Sequence, residues 1–199
     1  MTSVGARAEE VASGFVALVG RPNAGKSTLV NALVGVKVAI TSNTPQTTRH
    51  RLRAVLDLED AQIVLVDTPG LHKPHDALGE EVNRSSILAA ADVDVIALVI
   101  DASASVGSGD RWVAERVAKG RRPVVLVLTK ADAVDEATIA RQLERARELV
   151  TPVAEVVLSA KTGFNLEGFV EAVLPLLPQG PRFFPRDMTT DQPLEVMLA

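Results

Sequence analysis

The chain has 199 residues, of which 47% are hydrophobic and 23% charged, with a formal net charge of -4 and no cysteine. That length suffices for one α/β core with a short appendage, is too small for two full domains, and the composition excludes wholesale disorder. The acidic balance argues against a duplex-binding surface, and the missing thiols exclude disulfides, thiolate catalysis and cysteine-ligated metals, as suits a reducing compartment.

Taken in chain order, residues 1–13 carry Arg7, Glu9 and Glu10 and no apolar run, so they read as a flexible tail and not as a secretory signal. From Gly14 to Pro178 short β-branched runs alternate with helical patterns, the sequence form of a mostly parallel sheet covered by helices. Strands are predicted at Phe15 to Val19, Arg51 to Leu58, Ala61 to Val66, Val93 to Ile100, Val124 to Leu128 and Glu155 to Leu158. The short polar stretch Asp57 to Asp60 makes the second and third strands an antiparallel hairpin at the sheet edge. Helices are predicted at Lys26 to Leu33, Leu78 to Ala90, Asp110 to Lys119, Ala137 to Leu149 and Leu166 to Leu177. Between Arg and Glu residues, Ile139, Leu143, Ala146 and Val150 recur at the spacing of a half-buried surface helix. The longest apolar runs, Val93 to Ile100 and Pro123 to Leu128, fall far short of the ~20 residues that cross a bilayer and read as core strands. After Leu177, the residues Pro178, Gly180, Pro181, Pro185 and Pro193 end regular structure, so 179–199 reads as a linker leaving a domain that spans 14–178. The expectation is a three-layer α/β domain with a six-stranded, mostly parallel sheet, one antiparallel edge strand and helices on both faces. A cytoplasmic monomer is the simplest setting.

Four short segments carry chemistry. Gly20, Arg21, Pro22, Asn23, Ala24, Gly25, Lys26 and Ser27 match GxxxxGK[ST] between a predicted strand and a predicted helix, with Thr28 in the first helical turn. In such a P-loop the backbone amides wrap phosphate oxygens, the lysine reaches the β- and γ-phosphates, and the serine ligates Mg²⁺. Asp67, Thr68, Pro69 and Gly70 end the third strand, at the edge where open α/β sheets gather ligands. Asp67 is expected to hold Mg²⁺ directly or through water, and the Gly70 N–H to sense a γ-phosphate. Thr129, Lys130 and Asp132 follow the fifth strand. The Asp132 carboxylate can accept from both N1–H and the 2-amino group of guanine, whereas adenine offers neither. Ser159, Ala160 and Lys161 follow the sixth strand, where the Ala160 N–H can donate to guanine O6. Lys161 either lies along the guanine face or is solvated. GTP and GDP are the expected ligands, with Lys26 and Gly70 in the catalytic set.

Together these segments match the G1, G3, G4 and G5 elements of translation-factor-like GTPases, and the finer residues resemble the Era family of ribosome-assembly GTPases. The likeness runs from Val16 through GRPNAGKSTLVNALVG, ITSNTPQTTRHR, DTPGLHKPHDALGEEVNR and GPRFFPRDMTTDQP. It implies that Gln46 to His50 form the first switch, with Thr48 a second Mg²⁺ ligand and catalytic participant and Thr47 the fallback. It also implies K⁺ beside the phosphates, held by Asn23, which otherwise merely bridges the P-loop to the switch. Partners implied are small-subunit rRNA and the ribosomal subunit, in 3′-end rRNA maturation, with peripheral association at the inner face of the cell membrane. Members of the family continue into an RNA-binding KH domain, and no GXXG loop occurs in this sequence, so RNA binding by these 199 residues is expected to be weak or absent.

Two departures stand out. Leu71 occupies the place where Ras-like enzymes orient water with glutamine. Thr129 replaces the asparagine of most G4 elements, so the guanine N7 contact and the tie to the P-loop are weaker or made differently. Competing readings are a nucleotide-gated, non-catalytic assembly module and the G domain of a tRNA-modification GTPase. Against the latter stand His50, where that family has aspartate, and the HKPHDALG stretch. His50, His72 and His75 read as loop or partner contacts, and Trp112 as helix packing.

Overall fold

In a computed structural model of the chain, residues 10–35, 52–71 and 93–185 are described. Strands β1 (Val11–Gly20), β2 (Leu52–Asp57), β3 (Ala61–Asp67), β4 (Val95–Asp101), β5 (Val124–Thr129) and β6 (Ala154–Val157) stand in the order β2-β3-β1-β4-β5-β6. All neighbours are parallel except β2 and β3. Those two pair from Leu52 opposite Asp67 to Asp57 opposite Gln62, because a turn this short cannot make a crossover. Strand β1 lies between β3 and β4, so successive connections leave it in opposite directions. The carboxyl end of β1 is thus the switch point where such sheets bind ligands.

Residues alternate between the two faces along each strand. On one face Val16, Leu18, Ile63, Leu65, Val95 and Val125 pack against Leu29 and Val30 of α1 (Lys26–Val34) and Phe169 and Val173 of α4 (Leu166–Val173). On the other, Ala17, Val19, Ile96, Leu98, Ile100 and Leu126 meet Val113 and Val117 of α2 (Ser108–Val117) and Ala146 of α3 (Glu136–Arg147). Burial on both sides accounts for the unbroken Val, Ile and Leu runs of the central strands. Helix α4 stops short of the expected Leu177: Pro175 lacks an amide hydrogen, and Leu174–Leu176 tightens into a 3-10 turn. The helix predicted at Leu78 to Ala90 and the residues beyond Pro185 lie outside the described residues.

The domain's lower edge corrects two expected boundaries. Strand β1 begins at Val11, inside the segment read as a tail, because Val11 and Ala12 pair antiparallel with a seventh strand, β7 (Gln179–Gly180). Among the described residues the sheet therefore has seven strands where six were expected. The proline-rich segment has no periodicity of its own, yet it finds fixed partners on the sheet. The Phe183 and Phe184 amides both donate to Gln62 Oε1 at 2.9 Å, and Gln62 Nε2 donates to Phe184 O at 3.0 Å. Arg182 Nη1 donates to Asp57 Oδ1 at 2.7 Å and to the Leu58 and Ala61 carbonyls at 3.0 Å. Phe183 and Phe15 stack in a tilted pair with centroids 4.8 Å apart. Residues 179–185 thus form a strap across the end of the sheet opposite the ligand edge.

Candidate nucleotide-binding site

The P-loop links β1 to α1. Gly25, the residue before the helix, has φ +93°, and Asn23 has φ +62°, so the loop runs through two left-handed residues, the kind of backbone from which anion-binding nests are built. The helix N-terminus that follows carries no acidic residue in its first turn, leaving its partial positive charge for an anion. Lys26 is buried at 6% exposure and donates to the Gly20 and Arg21 carbonyls at 3.2 and 3.0 Å. Burial pushes its ammonium down to about 8, against the attraction of Asp67, which raises it.

Asp67, at the end of β3, is 1% exposed. Its Oδ2 accepts from the Ser27 hydroxyl at 2.6 Å, while its Oδ1 is buried without a partner. Burial pushes the carboxyl upward, opposed by the charge of Lys26 and by the hydrogen bond from Ser27. A buried, half-satisfied carboxylate joined to a serine hydroxyl is a donor set that fits a hard divalent cation, so Ser27 and Asp67 suit Mg²⁺. Thr48, the other expected ligand, lies outside the described residues, as do Thr47, His50, His72 and His75.

The remaining residues of the third-strand motif hold the loop in place. Thr68 is buried and its hydroxyl donates to Leu18 O at 2.7 Å. Gly70 lies so close to the P-loop that a Cβ there would come within 2.6 Å of Pro22 backbone atoms, with Pro69 half-buried beside it. Leu71 donates its amide to Gly20 O at 3.0 Å and sinks its side chain, 1% exposed, into the core on the α2 face. That side chain is therefore unavailable to order a water.

The segments that follow the fifth and sixth strands stand at the same sheet edge. The Thr129 hydroxyl, at the end of β5, donates toward Ala24 O of the P-loop at 2.7 Å, with Ile100 O at 3.1 Å. The tie to the P-loop is thus made by threonine itself. Lys130 adopts a left-handed conformation with φ +58° and pairs with Asp101 Oδ2 at 2.6 Å. Asp132 follows in a 3-10 turn, Ala131–Ala133, whose first amide donates to Leu158 O at 3.2 Å. The Ser159 hydroxyl donates to Asp132 Oδ1 at 2.6 Å, leaving Oδ2 toward the exposed Lys161 at 3.9 Å. Half-buried Ala160 lies between them in sequence. All four motifs therefore meet along the ends of β1, β3, β5 and β6.

Two side chains at this edge escaped the sequence reading. Asp101 ends β4; burial raises its carboxyl, but hydrogen bonds from Lys130 and Ser103 outweigh this and hold it below the usual range. The rule that ligands gather at strand carboxyl ends could have singled it out. Asp110, in the first turn of α2, accepts from Arg21 Nη1 at 3.2 Å and from the Gly107 amide at 3.0 Å, anchoring the P-loop's outer side. An isolated aspartate near a helix start carries no comparable signal.

This fold and this edge define a P-loop GTPase G domain. The model of the 50S ribosome-binding GTPase family matches residues 15–130. GTPase Era of Corynebacterium glutamicum is 46% identical over 190 residues, covering 94% of this chain and 62% of that protein. GTPase Era of a Mycobacterium species is 49% identical over 193 residues, covering 96% and 64%. Among solved structures, an Aquifex aeolicus Era variant bound to GDP·AlF4⁻ superimposes with a TM-score of 0.88 at 34% identity, over 95% of this chain and 65% of that one. A complex of Era with MgGDPNP and nucleotides 1506–1542 of 16S ribosomal RNA gives a TM-score of 0.89 at 34% identity and the same coverage. The chain belongs to the 50S ribosome-binding GTPase family and is, within it, a homologue of the Era GTPases. It spans a little under two thirds of the length of these relatives. No helix among the described residues is long and apolar enough to cross a membrane.

Proposed function

We propose that this chain is a GTP-binding and GTP-hydrolysing switch acting in assembly of the small ribosomal subunit and maturation of the rRNA 3′ end. The observation that carries the reading is the bond from Thr129 to Ala24, which locks the base-reading strand end to the phosphate loop. Asp132, aligned by Ser159, accepts from guanine N1–H and the 2-amino group, and the Ala160 amide donates to O6. The P-loop amides and Lys26 would hold the β- and γ-phosphates, and Ser27, Asp67 and Thr48 would hold Mg²⁺. When bound, the metal neutralises charge on the phosphate oxygens. Gly70 presents its amide to the γ-phosphate. Asn23 would hold K⁺ beside the phosphates, where the cation would offset charge developing between the β- and γ-phosphates.

The role in the ribosome rests on the likeness to Era, one solved example of which contains 16S rRNA nucleotides. Tight RNA binding is assigned to the portion of those relatives that this chain does not span, and a gel shift with small-subunit RNA tests this. Buried Leu71 favours one alternative, a switch that binds GTP and does not hydrolyse it. Phosphate release under single-turnover conditions in K⁺ and Na⁺ decides. Slow release, faster in K⁺, supports the proposal; tight GTP binding without release establishes the non-catalytic switch; and equal rates in both salts remove the role of Asn23.

A further inference from the structure

The hydroxyl of Thr129 has one hydrogen, and two backbone carbonyls compete for it. Ala24 O lies at 2.7 Å and Ile100 O at 3.1 Å, and the side chain is 1% exposed. Threonine has no second donor, whereas a carboxamide in its place would carry two: one for the P-loop carbonyl and one to spare. The neighbouring cation is also engaged, since Lys130 Nζ is 2.6 Å from Asp101 Oδ2. On the guanine-binding reading, with N1 and the 2-amino group on Asp132 and O6 near Ala160, N7 follows O6 along the rim of the base, with one ring atom between it and C6, and a donor for it would have to come from the end of β5. That is where Thr129 ends the strand, three residues before Asp132.

We propose that Thr129 clamps the phosphate loop and leaves N7 of guanine unread, so that the base is recognised through its N1, 2-amino and O6 edge alone. The inference rests on the guanine-binding reading above and concerns which edge of that base the site reads. Its consequence is a wider ligand class: guanine nucleotides in which N7 is replaced by carbon are bound as well as GDP. Thr129 is on this account a specificity-determining residue by omission and a positioning residue for the P-loop.

Displacement titrations with GDP and 7-deaza-GDP on the unmodified protein, T129N and T129V test this. The unmodified protein should bind the two nucleotides within roughly twofold of each other, since no neutral hydrogen bond is lost. T129N should prefer GDP by roughly five- to tenfold, the worth of one such bond restored. T129V, which removes the clamp, should weaken both nucleotides equally. A roughly fivefold or greater preference for GDP in the unmodified protein means that N7 is read and overturns the proposal. If T129N does not fold, the unmodified protein alone decides. Failure to bind GDP at all strikes instead at the guanine-binding reading and is seen in the same titration.

Discussion

Ser27 and Asp67, forty residues apart in sequence, are joined by a hydrogen bond of 2.6 Å from the serine hydroxyl to Oδ2, and the second oxygen of that carboxylate is buried and unpartnered. A parallel sheet makes the meeting possible. Strands β1 and β3 lie side by side in register, with Leu18 opposite Asp67, so the helix that follows one strand begins beside the end of the other. An orphaned buried oxygen is costly unless a ligand completes it. The pair therefore predicts a strong Mg²⁺ dependence of nucleotide binding. Chelation with EDTA should weaken GDP binding by roughly tenfold or more, on the scale of a charge-assisted contact. Ser27→Ala should remove most of that Mg²⁺ gain while changing Mg²⁺-free affinity little, as read by calorimetry in the two conditions.

Lys26 gives a pH prediction with a definite sign. Burial holds its ammonium at about 8 in the free protein, below the ordinary 10.5. Phosphate oxygens favour the charged form and raise this value in the complex. Between pH 8 and 10 the complex then holds more protons than the free protein, so binding takes up protons and affinity falls as pH rises. At pH 8.5, net uptake of a fraction of a proton per GDP is expected. Calorimetry of Mg²⁺-free GDP in buffers of different ionisation enthalpy measures it and keeps the Asp67 carboxyl apart from the metal. Proton release in that range contradicts the assignment.

The strap over the lower edge makes a stability prediction. Gln62 is fully buried and satisfies the amides of Phe183 and Phe184 with one oxygen. Gln62→Leu leaves both donors without a partner, which should cost about 2 kcal/mol. Arg141→Ala, which removes an exposed contact to the Thr138 hydroxyl and a surface charge near Asp135, should cost under about 0.5 kcal/mol. Urea denaturation monitored by the single tryptophan, Trp112, compares the two. Equal midpoints mean that residues 179–185 do not hold the domain in solution.

The place of the P-loop between β1 and α1 was legible in the sequence, because the proposed phosphate chemistry requires Gly25, Lys26 and Ser27 to be adjacent. The hairpin between β2 and β3 was legible for a similar reason, since Asp57 to Asp60 leaves no room for a crossover. The strap was not. Its contacts depend on Gln62 and Asp57, more than 120 positions earlier in the chain, and prolines deny it the periodicity by which strands and helices are recognised. The role of Thr129 was only half legible, because its identity told that a carboxamide was missing, while the direction of its single hydrogen depends on where Ala24 comes to rest.

The central claim is that one carboxylate reads guanine beside a loop that grips phosphates, and the most direct test exchanges that carboxylate. Titration of the unmodified protein and Asp132→Asn with the diphosphates of guanosine, adenosine and xanthosine decides it. The unmodified protein should prefer GDP over ADP by roughly 10³-fold or more, and the variant should lose GDP and gain XDP, whose 2-oxo group accepts from the new amide. Equal binding of GDP and ADP by the unmodified protein, or a variant that still selects GDP, would contradict the account.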